Sequence, residues 1–268
     1  MAIVFKVKPW YKKSGGGYSG IWVPKTWSGL TNFYGSMLWT DGTDIYYSYG
    51  SEQYVLNKST STWTQKTWSG LTSFDGSYIW TDGINIYHSR SSTNQSVLNK
   101  ATSTWSAKTW TGLTKFYGYN VWTDGTNIYH SESANQYVLD KSTSTWTAKN
   151  WGGLTSFDGR DIWTDGTDIY YSKGTTHYVL NKSTSTWTAK TWNGKTSFNG
   201  RYIWTDGTDI YYSYYAAATG SEQYVLNKST STWTQKTWQG LTNFSGTNVW
   251  KDSDHIYYST GSTHYELT

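Results

Sequence analysis

Residues 74–110 read FDGSYIWTDGINIYHSRSSTNQSVLNKATSTWSAKTW, a stretch that predicts four short strands. Two aromatic and β-branched runs flank Asp82-Gly83, which favours a hairpin because glycine adopts positive φ at low cost. A third run surrounds Val97 and Leu98, and a fourth surrounds Trp105 after a polar turn. No helical periodicity interrupts these runs, so the stretch predicts one small four-stranded sheet.

The same pattern occurs six times, as the tryptophans show. Eighteen of the 19 tryptophans fall into three ladders of six, with steps of 41 or 42 residues apart from one of 46. The ladders are Trp27, Trp68, Trp110, Trp151, Trp192 and Trp238; Trp39, Trp80, Trp122, Trp163, Trp204 and Trp250; and Trp22, Trp63, Trp105, Trp146, Trp187 and Trp233. A period of this length is typical of an array of small sheets, each unable to bury its apolar face alone. Because tryptophan that repeats with a fold is usually buried, we interpret the ladders as core.

The ends of the repeat array distinguish a closed ring from a stacked solenoid. The last copy stops at residues 264–268, after its third strand, whereas residues 20–27 match the missing fourth strand. A ring needs its two ends to complete one blade, while a solenoid needs caps. We therefore predict an all-β fold, a six-bladed β-propeller with four antiparallel strands per blade, closed by an N-terminal outer strand that completes the last blade. Residues 1–17 are interpreted as a leader or tether and residues 18–268 as the propeller.

Composition excludes several classes of function. The chain has no cysteine, so it has neither disulfides nor thiolate sites. Its net charge of +4 is weak and dispersed, which argues against nucleic acid as a partner. No apolar stretch reaches membrane-spanning length, so we expect a soluble chain without membrane insertion.

The third and fourth strands of each unit resemble the kelch family. Kelch repeats carry an aspartate, a threonine three residues later and a tryptophan six residues after the aspartate. Asp140, Thr143 and Trp146 match that spacing, whereas other complete copies carry asparagine first, as at Asn57. The resemblance covers nearly all of residues 20–268 and implies a propeller, but kelch-like propellers include scaffolds, lectin-like binders and oxidases.

A second resemblance concerns overall composition and repetition rather than a motif. Similar aromatic repeats rich in threonine, serine and asparagine, behind a short lysine-containing leader, look like bacteriophage tail or other virion-surface proteins. The near-identity of the copies also suits recent duplication or deliberate design.

Differences among the six copies concentrate in two connections. One runs from the fourth strand into the next blade, and the other joins the second and third strands. Antiparallel strands bring both connections to one side of the disc, here called the variable face. The two nearly constant turns, Thr-Asp-Gly and Asn-Lys-Ser-Thr, lie on the other side, the constant face. Variable loops on a rigid ring are where binding is usually built, although loops also drift because little constrains them.

The variable connections hold the candidate ligand-binding residues. Flat rings beside charged groups suit a glycan or a protein surface equally. The candidates are Tyr34, Tyr49, Tyr78, Arg90, Tyr117, Tyr119, Arg160, Asp161, Lys173, His177, Arg201, Tyr202 and Tyr214, with the amides of Gln53, Gln95 and Gln136 beside them.

The sequence offers few candidate residues for a metal site or for catalysis. His88 and His130 replace tyrosine on neighbouring blades without an evident third ligand, and the recurrent Asp-Gly turns explain their aspartates without calcium. A copper-radical oxidase needs a cysteine, and a sialidase would carry Asp-box motifs that are absent here. We therefore expect no cofactor, no metal and no catalysis.

The sequence thus favours a non-catalytic propeller that recognises a cell-surface glycan or protein, as a phage tail or virion host-recognition module would. The alternative is a structural ring within a larger assembly, held through the leader. A glycan-processing enzyme is a third reading. The cellular location stays open.

Overall fold

The computed structural model describes residues 18–91, 94–218 and 220–268. The predicted leader, residues 1–17, lies outside the described residues. Within them the chain forms short strands and six single-turn 3-10 helices. The strands are β1 (Trp22–Pro24), β2 (Leu38–Thr40), β3 (Ile45–Tyr49), β4 (Glu52–Asn57), β5 (Thr62–Gln65), β6 (Ile79–Thr81), β7 (Ile86–Ser91), β8 (Asn94–Asn99), β9 (Thr104–Ala107), β10 (Phe116–Tyr117), β11 (Val121–Thr123), β12 (Ile128–Glu132), β13 (Asn135–Asp140), β14 (Thr145–Ala148), β15 (Ile162–Thr164), β16 (Ile169–Lys173), β17 (Thr176–Asn181), β18 (Thr186–Ala189), β19 (Ile203–Thr205), β20 (Ile210–Ala216), β21 (Gly220–Asn227), β22 (Thr232–Gln235), β23 (Val249–Lys251), β24 (Ile256–Thr260) and β25 (Thr263–Leu267).

These strands form six antiparallel sheets, which confirms the predicted propeller. Blade 1 is β2-β3-β4-β5, blade 2 is β6-β7-β8-β9, blade 3 is β11-β12-β13-β14, blade 4 is β15-β16-β17-β18 and blade 5 is β19-β20-β21-β22. Blade 6 has the order β23-β24-β25-β1. The added β10 pairs with β7, so the sheet of blade 2 has five strands.

Blade 6 closes the ring as the sequence predicts. β1 pairs antiparallel with β25, with Trp22 opposite Leu267. Backbone bonds extend the pairing beyond the strand, since Gly20 N–H donates to Thr268 O at 3.2 Å. Trp22 and Trp250 therefore belong to one blade, although 228 positions separate them. β1 thus covers the edge of β25 and gives blade 6 the same four strands as the other blades.

The tryptophan ladders form the core between neighbouring blades. All eighteen ladder indoles are buried, and each interblade cluster combines rings from two adjacent sheets. In the second ladder every indole N–H donates to a buried serine nine residues later, at 2.8–3.0 Å. These pairs are Trp39–Ser48, Trp80–Ser89, Trp122–Ser131, Trp163–Ser172, Trp204–Ser213 and Trp250–Ser259. The serine satisfies a donor that burial would otherwise leave unpaired.

The Asp-Gly connections are four-residue loops rather than two-residue turns. In blade 3 the last strand pair is Thr123 with Ile128, and Asp124 Oδ1 accepts the N–H groups of Thr126 and Asn127. Gly125 takes a φ of 95°, the positive value that the sequence predicts. The aspartate thus organises the loop through hydrogen bonds to its backbone.

A lysine after the fourth strand joins each of four blades to the next. Lys149 Nζ donates to Ser185 Oγ of the following blade at 2.8 Å and lies 4.9 Å from the centre of the Trp151 ring. The same hydrogen bond recurs in Lys66–Ser103, Lys108–Ser144 and Lys190–Ser231. A cation over an indole face is attractive, so this lysine supports the interblade core at its edge.

Candidate ligand-binding face

The two variable connections meet on one side of the disc, as predicted. Phe74, at the entry to blade 2, donates its N–H to Gly50 O in the loop between β3 and β4 of blade 1, at 2.9 Å. Gly50 N–H in turn donates to Asp75 Oδ1 at 3.0 Å. The equivalent pair in blades 3 and 4 is Phe157 with Ser133, at 2.9 Å. Each interblade connector is therefore bonded to the variable loop of the preceding blade, and the two form one surface.

Six 3-10 helices encircle the axis on this face. They are η1 (Gly35–Met37), η2 (Gly76–Tyr78), η3 (Gly118–Asn120), η4 (Gly159–Asp161), η5 (Gly200–Tyr202) and η6 (Gly246–Asn248), and each contacts its two neighbours. The first residue is always glycine because the helices pack too closely for a side chain. A Cβ on Gly159 would lie 2.0 Å from Asn120 O. The two residues after each glycine differ from copy to copy, and all of them except the buried Asn120 and Asp161 are partly exposed around the axis.

The predicted tyrosines and basic residues lie on this face. Tyr34 and Tyr49 are the more exposed, at 44% and 50%. Tyr78, Tyr117, Tyr119, Tyr202 and Tyr214 are half-buried. Arg160, Asp161, Arg201 and Tyr202 belong to η4 and η5, while Arg90 and Lys173 are at the strand ends next to the variable loops. Tyr215, which is 41% exposed in the insertion that lengthens β20, joins them although the sequence did not single it out.

Three of these tyrosines form a cluster at the junction of blades 2 and 3, the tyrosine platform. Tyr117 and Tyr119 are nearly parallel, with ring centres 5.3 Å apart and planes at 12°. Tyr78 lies 5.9 Å from Tyr117 and 5.6 Å from Tyr119. Arg90 covers part of the Tyr78 ring at 5.3 Å. A second, smaller pair is Tyr202 with Tyr214, whose ring centres are 4.8 Å apart on blade 5.

Each arginine of the face lies near a carboxylate. Arg90 Nη1 is 3.6 Å from Asp75 Oδ2, Arg160 Nη2 is 3.8 Å from Asp158 Oδ2, and Arg201 Nε is 3.5 Å from Asp161 Oδ1. Lys173 also pairs with Asp158, at 3.0 Å. Positive charge on the face is therefore largely compensated in place.

Asp158, just before η4, and Asp161, at the end of η4, have carboxylates in different environments. Burial acts to raise the pKa of Asp158, but the hydrogen bond from Lys173, the Ser133 N–H and the charge of Arg160 outweigh it and hold the pKa below its usual value. Asp161 is completely buried, and burial raises its pKa despite Arg201 and Arg160. Its contact with a cation is the ion pair to Arg201 Nε at 3.5 Å. Asp161 is therefore placed to position Arg201 from below rather than to touch a ligand.

His177 differs from the expectation that it would face a ligand. It is buried, its Nε2 is 2.9 Å from Thr196 O, and its ring stacks on Phe198 at 4.4 Å. The glutamines at the same repeat position are also buried; Gln136 Nε2 donates to Phe157 O at 3.2 Å and to Ser133 O at 2.6 Å. This position fastens the connector to the blade. The sequence carried a signal for this, because the position is always glutamine or histidine.

His88 and His130 are buried in two neighbouring blades, at the position where tyrosine stands in the others. His130 lies 5.3 Å from Phe116, ring centre to ring centre, and burial lowers the pKa of its imidazole to about 4. Among the described residues, no three histidine, aspartate or glutamate side chains are close enough to hold a metal ion. The geometry of both histidines is that of core residues.

A cavity of about 620 Å³ runs beside the axis along blades 3 to 5. It extends from Tyr119 and Arg160 at the variable face to the Asp165 loop and Lys228 on the constant face. Sequence comparison of the copies missed it because its walls are mostly repeated residues such as Thr164. The cavity is formed where the inner strands of three successive blades meet.

Comparison with known proteins supports the fold and goes no further. No protein-family model and no curated protein matches the chain. The solved structure of YjhT aligns with a TM-score of 0.60 at 10% identity, over 91% of this chain and 95% of that one. The extracellular domain of the putative hybrid two-component system BT4673 from B. thetaiotaomicron aligns with a TM-score of 0.52 at 8% identity, over 85% of this chain and 33% of that one. The chain thus spans about a third of that protein's length.

The fold that these neighbours share is the propeller. The kelch resemblance stays a prediction, because no family model matches. No helix in the described part of the chain has the length and apolar character needed to cross a membrane.

Proposed function

We propose that this propeller is a non-catalytic binding module that recognises a glycan or protein on a cell surface through its variable face. The observation that carries the proposal is the contrast between the two faces. The constant face repeats the same polar turns, whereas the variable face groups tyrosines with arginines in the blades 2 to 5. Rigid aromatic rings beside adaptable polar groups are the chemistry of recognition surfaces.

The chain's own geometry also supports binding without catalysis. Acid–base hydrolysis needs a pair of carboxyl groups that can reach the substrate. Asp158 accepts from Lys173 and lies beside Arg160, and Asp161 is buried under Arg201. Both side chains therefore act inside the protein, as anchors for basic residues.

The arrangement of the faces supports the part of the proposal that assigns a virion tail or similar host-recognition role. The described chain begins at Tyr18, whose hydroxyl is 3.4 Å from Asp254 O in a loop of the constant face. Thr268 lies beside it, with Ser19 Oγ 2.5 Å from Thr268 O. An assembly joined at this end would leave the variable face directed outward.

Glycan arrays and cell-binding assays test the proposal. We expect the purified chain to bind, and the triple variant Arg160→Ala, Arg201→Ala, Tyr202→Ala to lose most of that binding while keeping its melting temperature. Retained binding by the folded variant would contradict a site on this face. The competing role, a structural ring, predicts a stable complex formed through residues 1–17 that is indifferent to changes in the variable loops.

A further inference from the structure

We propose that the tyrosine platform, Tyr78, Tyr117 and Tyr119, is the primary subsite and that it takes an uncharged pyranose ring of a neutral glycan. This inference rests on the proposed function and adds the ligand class and the place on the ring. It draws on the convergence of the three tyrosines, their fixed position and the charge balance around them.

The platform exists at one blade junction. Its three residues come from different repeat positions, so no single change in the repeat created it. At the junction of blades 6 and 1, the positions of Tyr78 and Tyr119 hold Asn248 and Ser36, and a tyrosine, Tyr34, stands only at the position of Tyr117. Tyr119 is matched by Thr247 in η6. All three positions hold tyrosine at the junction of blades 2 and 3 alone, although single tyrosines such as Tyr34 and Tyr49 lie elsewhere on the variable face.

The platform is held in place before any ligand arrives. Among the described connectors, β10 alone forms a strand pair with the blade before it, with Tyr117 opposite Arg90. Gly118 then packs against Tyr78 O, where a Cβ would lie 2.1 Å away. Tyr78 is supported from below by His88, ring centre to ring centre 6.0 Å. Binding on a surface fixed in this way loses little conformational entropy.

The chemistry of the platform matches a sugar ring. A pyranose presents a face of C–H groups surrounded by hydroxyls. Aromatic faces carry negative quadrupole charge and attract such polarised C–H groups. Around the rings, Arg90 with Asp75 and Arg160 with Asp158 supply both donors and acceptors for hydroxyls.

The charge balance favours a neutral ligand over an acidic one. Recognition of a sugar carboxylate or sulfate uses an arginine fork free to make charge-assisted bonds. Beside the platform, Arg90 faces Asp75 and also covers Tyr78, while Arg160 shares Asp158 with Lys173. An acidic sugar would have to compete with a carboxylate already in place.

The test uses the full chain and defined probes. Titration calorimetry compares lactose and chitotriose, as neutral probes, with 3′-sialyllactose and a heparin hexasaccharide, as acidic ones. We expect binding of a neutral probe with a Kd that stays the same between about 50 mM and about 500 mM salt. Tyr119→Leu and Tyr78→Leu should each weaken it by about tenfold or more, since they keep apolar bulk but remove the flat ring.

Matched controls separate the site from general damage. Ser36→Ala and Thr247→Ala stand at the same repeat position as Tyr119 and should change the Kd by less than about twofold. Asp158→Asn removes the carboxylate between Arg160 and Lys173, and it should create measurable affinity for 3′-sialyllactose. Melting temperatures of all variants establish that they are folded.

The outcomes distinguish this inference from the proposed function. Stronger binding of acidic probes by the unaltered chain, or neutral binding that survives both tyrosine changes in folded protein, overturns the inference and leaves recognition by the variable face intact. Attachment to cells that persists after their surface glycans are removed assigns the face to a protein and also overturns it. Absence of binding to all glycans and all cells overturns both.

Discussion

At the scale of single residues, the repeat positions divide into those that pack and those that vary. The second-ladder tryptophans each find a serine nine residues on, so an indole N–H is satisfied in every blade. The tyrosine position in the second strand of each blade accepts another residue type. Histidine replaces it at His88 and His130, inside the same aromatic clusters. A buried imidazole is tolerated there as long as it stays neutral.

The neutral state of His130 predicts a pH dependence of stability. Burial holds its pKa near 4, against 6.5 for the free side chain, so the unfolded chain takes up the proton first. Stability is therefore present above pH 6.5 and declines as the pH falls towards about 4, by up to about 3 kcal/mol from this residue. Urea denaturation between these pH values measures the decline, and His130→Tyr should make it shallower. The same slope in both proteins would contradict the prediction, because it would mean that His130 has the same pKa in the folded and the unfolded chain.

At the scale of elements, loops and connectors are built from turn chemistry and close backbone contact. The constant loops need positive φ at glycine, as at Gly166 with 94°, but nothing packs against them there. The connector after the fourth strand needs glycine both for its positive φ and for the lack of a side chain. Gly153 combines a φ of 81° with a neighbour so near that a Cβ would lie 1.9 Å from Trp187 O. Glycine thus recurs for two different reasons in one repeat.

The two glycines allow a paired test of this difference. Gly166→Ala should cost about 1–2 kcal/mol, the penalty of a left-handed backbone with free space around it. Gly153→Ala must in addition displace the strand of the next blade, and we expect a loss of about 3 kcal/mol or more in the free energy of unfolding. Chemical denaturation of both variants measures the difference. Equal losses would mean that the connector moves aside at no cost.

At the scale of the whole molecule, stability depends on closure of the ring. Trp22 enters from the N-terminal side and contacts Phe244 at 5.3 Å and Trp204 at 6.0 Å between ring centres. It thereby fills the interface between blades 5 and 6 while β1 completes blade 6. A ring without this strand has one blade with an open edge and one interblade core without its indole.

Closure is tested by shortening the chain or by removing one ring. Deleting the residues before Thr26 should open the ring and lower the melting temperature sharply. Trp22→Ala alone should cost about 3–5 kcal/mol, the usual loss for a fully buried tryptophan. Val23→Ala is the control, since Val23 is 37% exposed on the same strand. An unchanged melting temperature after the deletion would contradict closure by this strand.

The propeller could be predicted from the sequence because three separate tryptophan ladders each repeat six times with the same period. The candidate face could also be predicted, since strand order dictates which connections share a side. The roles of single side chains there could not. His177 looked like a surface residue and is buried against Phe198, and Asp161 looked accessible and is buried. Asp161 is buried where neighbouring 3-10 helices pack together, and His177 is buried against the connector to the next blade. Spacing along the chain reveals neither contact.

The sequence by itself therefore determined the number of blades, their strand order and the closing strand, because those follow from a repeat read along the chain. Only the tertiary structure decided which variable residues meet. Tyr78 and Tyr117 are 39 residues apart and belong to different repeat positions, yet ring closure and β10 bring their rings to 5.9 Å. The physical reason is that periodic burial is a local property of the chain, whereas contact between non-repeating residues depends on the packing of whole blades.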